Sequence, residues 1–162
     1  MKHVTMKICA CACALALAVG ALAGCASNGS QANTEQQANR AYMSQVNGIM
    51  DELGTDLDSF VDAVSRGDVV NMRTQADNAY KKLDELNALE VPENLSDIQK
   101  NYLDGTSKLR EALNDYIDLY TEISSGSFDQ SKYESRIAEI QSKYNEGVSA
   151  LEQGDQAASS KQ

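Results

Sequence analysis

The sequence predicts an all-α fold, an antiparallel up-down-up-down four-helix bundle over residues 35–154. Three observations lead there. Apolar residues recur at steps of three and four along most of the chain, no stretch sustains strand alternation, and the breaks between stripes are short and rich in turn residues. The first helix, about residues 35–66, carries Tyr42, Val46, Ile49, Leu53, Leu57, Phe60 and Val64 on one face. Gly67 stops it, and Asp68 is placed to cap the second, about 68–89, whose stripe is Val69, Met72, Ala76, Tyr80, Leu83, Leu86 and Leu89. Glu90-Val91-Pro92 breaks that helix. The third, about 93–124, bears Leu95, Ile98, Tyr102, Leu109, Leu113, Tyr116, Tyr120 and Ile123. After a turn at Gly126, Asp129 or Ser131 can cap the fourth, about 129–153, with Tyr133, Ile137, Ile140, Tyr144, Val148 and Leu151. Gly154 reads as its stop and 155–162 as a disordered tail. A three-helix bundle with the N-terminal helix detached, or split at Gly54, is the alternative architecture.

The chain has 162 residues, 42% of them apolar, and a formal charge of −10. The apolar content is too high for a wholly disordered chain, and the acidity argues against nucleic acid as a partner and against a polybasic membrane-surface role. Residues 1–24 stand apart from the fold. Lys2 and Lys7 give a positive start, Ile8 to Ala23 is an apolar run rich in Ala and Cys, and small polar residues follow. That pattern is a secretion signal and too short for a convincing membrane span.

Leu22-Ala23-Gly24-Cys25, directly after the apolar run, resembles the lipobox of bacterial lipoproteins. The resemblance covers the signal and the first mature residue only. It implies cleavage between Gly24 and Cys25 and a diacylglycerol on the Cys25 sulfur, with acyl chains such as palmitate; no other cofactor is expected. Two or three chains hold stably in a bilayer, because burial is worth about 0.8 kcal/mol per CH₂. The implied location is the outer face of the cell membrane, or an outer membrane where the envelope has one. Residues 25–34 then read as a lipidated Cys and flexible tether. Cleavage removes His3, Cys9, Cys11 and Cys13, so the exported form keeps one Cys and no His.

Without His, there is no Ser-His-Asp or Cys-His site, no His-ligated metal and no Glu-x-x-His pair of the ferritin type. Asp58 and Asp62 lie four apart on one helix face, but Asp56-x-Asp58 lacks the glycine and closing Glu of a calcium loop. No catalytic residue and no metal site is expected, and the protein reads as a non-catalytic binding or scaffold module.

Two candidate contact regions follow from folding each helix pair about its turn. That construction pairs Leu53 with Tyr80, Tyr80 with Tyr102, and Leu113 with Ile140. It leaves the third and fourth helices projecting roughly 15–20 Å past the first turn. Tyr116, Tyr120, Phe128 and Tyr133 on that hairpin would form an aromatic surface rimmed by acids, suited to an envelope protein partner. The same construction gathers Tyr80, Tyr102, Gly105 and Gly147 in one layer, a candidate ligand site for a small-molecule sensor or carrier. A purely structural envelope spacer is the third reading. The pattern as a whole is similar to small helical lipoproteins of bacterial envelopes.

Overall fold

The computed structural model describes residues 30–160, with side chains from Thr34 onward. It is a four-helix bundle: α1 Ser30–Ser65, α2 Val69–Asn87, α3 Ser96–Ser125 and α4 Tyr133–Ser159, with 3-10 turns at Glu93–Leu95 and Gln130–Lys132 and no strand among the described residues. The expected cleavage site and lipidation position fall outside those residues.

The helix ends follow the local chemistry. Gly67 takes φ 64°, and the amides of Gly67 and Asp68 donate to the carbonyls of Val64 and Ala63, which satisfies the last turn of α1. The Asp68 side chain then accepts from the Asn71 amide at 3.1 Å and opens α2. Its carboxyl is held below the ordinary range by those Asn71 hydrogen bonds. Gly126 repeats the device at the end of α3, with φ 73° and the Ser127 amide donating to Glu122. Asp129 caps the 3-10 turn that leads into α4.

Two boundaries differ from expectation. Residues 30–34 belong to α1 rather than to a tether, so a run of Ser, Gln, Ala, Asn and Thr continues the helix that the stripe behind it establishes. Residues 155–159 belong to α4 rather than to a tail. Gly154 does not end that helix. It is buried, and a Cβ there would lie 2.7 Å from the Tyr102 ring, so the glycine makes room for an aromatic on α3. Ala158, one turn on, is fully buried.

The core runs the length of the molecule through Val46, Leu53, Phe60, Met72, Leu83, Leu109, Leu113 and Ile140. α3 and α4 form the tightest pair because Gly105 and Gly147 face each other. A Cβ on Gly105 would stand 2.9 Å from the Gly147 carbonyl, and one on Gly147 would stand 2.9 Å from the Leu109 amide. Three ion pairs run along the same seam: Lys108 to Glu146, Lys143 to Asp115 at 2.7 Å and Arg136 to Glu122 at 3.5 Å. All are at the surface, and each contributes at most about 1 kcal/mol.

The α1–α2 register agrees with the fold-back construction: Lys82 reaches Glu52 at 2.6 Å. The α2–α3 register does not. The Tyr80 hydroxyl donates to Asn114 at 2.7 Å, Arg110 pairs with Asp84, and Thr106 donates to Asn87 at 3.2 Å. Tyr80 is therefore level with Asn114, twelve residues or about 18 Å along α3 from Tyr102. The cause is the connection. Residues 88–95 do not turn tightly about Val91; they lie beside the first turns of α3, with Leu89 and Val91 packed on the core and Leu95 buried in it. This segment covers the place that α2, ending at Asn87, leaves open.

Candidate functional site

The α1–α2 turn meets the third helix near Tyr120. A Cβ on Gly67 would lie 3.9 Å from the Tyr120 ring, and α3 ends at Ser125, only five residues later. The expected level of that turn, near Leu113, is corrected with the register, and the projecting hairpin shrinks to about 7–8 Å of helix rise plus its connection.

The four aromatics expected on its surface divide accordingly. Tyr120 is 7% exposed and belongs to the core; burial and its hydrogen bond with Tyr133 push its hydroxyl pKa well above the ordinary tyrosine value. Tyr116 is half-buried, edge-on to Phe60 of α1 with ring centroids 6.0 Å apart. Its hydroxyl is raised by burial and lowered by a hydrogen bond with Gln141. Phe128 and Tyr133 stay at the end of the bundle, half-buried and T-shaped to each other at 6.2 Å. Ile123, on the last turn of α3, is 36% exposed. The tip is thus a small apolar surface of Ile123, Phe128 and Tyr133, bordered by the Arg136–Glu122 and Lys132–Asp129 pairs. It is narrower than the aromatic patch the sequence suggests.

The expected ligand layer is not assembled. Gly105 and Gly147 do meet, but Leu109 and Leu151 fill the space beside them, so the pair serves close helix approach. Tyr80 sits elsewhere, with the Arg110 guanidinium 4.8 Å over its ring, and burial pushes its hydroxyl pKa up to about 12. Tyr102 is 2% exposed and donates to Asp155 at 2.7 Å.

Two depressions among the described residues bear on a ligand site. A crevice between α1 and α4, lined by Met50, Leu53, Gly54, Leu57, Val148 and Leu151 with Glu152 and Asp155 at one end, holds about 10 Å³, near the lower limit for one water. An open groove of about 320 Å³ lies between α1 and α2, lined by Glu52, Thr55, Asp56, Asn78, Lys81 and Lys82. Of its two lysines, Lys82 is held by Glu52 at 2.6 Å and Glu85 at 3.0 Å, with its pKa raised by those hydrogen bonds, and Lys81 donates to Asn78 at 3.4 Å. Among the described residues, no group of three His, Cys, Asp or Glu is placed to hold a metal ion, and no helix is long and apolar enough to cross a membrane. Asp62 is engaged by Arg66, and Asp58 is exposed.

Sequence reasoning missed one polar cluster. Tyr42, Tyr102 and Asp155 come together where α1, α3 and α4 meet below the end of α2. The signal was present: Ile140, Tyr144, Gly147, Leu151, Gly154 and Ala158 keep steps of three and four to the end of the chain. Reading Gly154 as a stop hid it. Comparisons with family models, with curated proteins and with solved structures give no match for this chain.

Proposed function

We propose that the protein is a lipid-anchored lipoprotein of a bacterial envelope, a helical rod that works by contact rather than by chemistry. In this reading Cys25 carries the lipid, and the α3–α4 tip meets an envelope protein. The observation that carries it is the polarity of the bundle. α1 begins at Ser30, five residues after Cys25, and rises through 36 residues, about 54 Å, to a turn that lies against Tyr120. A tether at one end therefore leaves the surface of Ile123, Phe128 and Tyr133 at the other, facing away from the bilayer. An anchor also confines the protein to a surface, where a high effective concentration lets a small contact suffice.

Photocrosslinking in living cells tests the tip. A photoreactive residue at Ile123 or Phe128 captures the same protein from both positions, and the same residue at Gln45 or Thr74, exposed on the flanks, does not. Capture that is equal from flank and tip, or absent from both tip positions, contradicts a distal contact and leaves a structural spacer.

A further inference from the structure

The end of the bundle nearest the start of α1 holds a half-buried carboxylate, Asp155, against two tyrosines. α2 stops level with Thr106, so this end is enclosed by α1, α3, α4 and the 88–95 connection. Among the described residues, the titratable groups that act on Asp155 are Tyr102 from α3, Tyr42 from α1 and Glu152 from its own helix, and none of these is a cation. Tyr102 is drawn over the Gly154 backbone, where a Cβ would collide with its ring, and its hydroxyl donates to Asp155 at 2.7 Å. One turn from Tyr42 on the same face, Asn39 is 4% exposed, and its Oδ1 has no hydrogen-bond partner among the described residues. Buried polar groups with incomplete partners weaken the packing around them, and the end turns of a helix open locally at low cost.

We propose that the last two turns of α4, residues 152–159, form a proton-controlled clasp, seated against Tyr42 and Tyr102 when Asp155 is protonated and loosened, with the rest of the bundle intact, when it is ionised. Burial, with a smaller contribution from Glu152, holds the Asp155 carboxyl above the ordinary aspartate range, and the Tyr102 hydrogen bond pulls it partly back. The sign follows from linkage. The seated segment binds the proton more tightly than the free segment does, so seating strengthens as pH falls through the raised pKa and weakens as pH rises through it. A neutral acid can share a hydrogen bond with Tyr102 in an apolar setting, whereas the carboxylate gains more from water.

Hydrogen–deuterium exchange on the full chain between about pH 4 and 8, corrected for intrinsic exchange, tests this. Protection of amides 152–159 falls several-fold from the acidic to the neutral end, while amides near Leu109 and Leu113 keep theirs. Asp155→Asn flattens the profile. Tyr102→Phe removes the group that lowers the Asp155 pKa and moves the midpoint to higher pH. Protection independent of pH in the wild type, a profile that survives Asp155→Asn, or a midpoint unmoved by Tyr102→Phe would each overturn the clasp.

Discussion

Phe60→Ala lowers the unfolding free energy by about 3–5 kcal/mol, read from urea denaturation followed by helical circular dichroism. Phe60 is fully buried and meets Tyr116 edge-on, so the truncation removes a whole aromatic ring that α1 inserts toward α3. The loss has two parts, the transfer of the ring to water and a cavity that neighbouring helices only partly close. An aromatic pair adds about 0.5–1.5 kcal/mol beyond buried area, so Phe60→Leu recovers much of the stability but not all of it. A domain of this size has about 5–15 kcal/mol in total, which makes Phe60→Ala a severe lesion. A loss below about 1 kcal/mol would mean that α1 does not pack on α3 as described.

Gly147→Ala destabilises by about 1–2 kcal/mol, against its helix propensity. Alanine is favoured over glycine in a helix interior by about 1 kcal/mol. The added methyl, however, would sit 2.8 Å from Leu109 Cγ and 2.9 Å from the Leu109 backbone nitrogen. Backbone cannot step aside as a flexible side chain can, and overpacking costs about 1–3 kcal/mol or more. Gly48→Ala is the control, at an exposed position of α1 where a Cβ meets nothing within 4 Å. It raises stability by about 0.5–1 kcal/mol. Opposite signs for the same substitution on two helices identify the α3–α4 approach; gains at both sites would contradict it.

The four helices were legible because the period of their apolar residues is unambiguous and because Gly67-Asp68 and Gly126 mark turns whose hydrogen bonding only such residues satisfy. Register within each hairpin was also legible, since a tight turn fixes which residues lie level. Register between the hairpins was not. It depends on residues 88–95, and a connection of eight residues permits many offsets; Leu89, which continues the helical stripe in the sequence, joins Val91 in covering the core instead. That one error placed Tyr80 beside Tyr102 and exposed Tyr120, whose surroundings in fact include the Gly67 turn. Gly154 was misread for a related reason. A glycine after a helical stripe signals an end by propensity, but the ring of Tyr102 on the neighbouring helix decides the matter, and the sequence hints at it only in the stripe that runs on through Gly154 to Ala158.

Whether this rod stands on a membrane is decided by the chemistry of one sulfur atom. Mass spectrometry of the N-terminal peptide of the protein recovered from whole cells reads it directly. The account predicts a peptide that begins at Cys25 and carries a diacylglyceryl thioether. A peptide that runs unbroken through Gly24 and Cys25, or one that ends in a free Cys25 thiol, would contradict it.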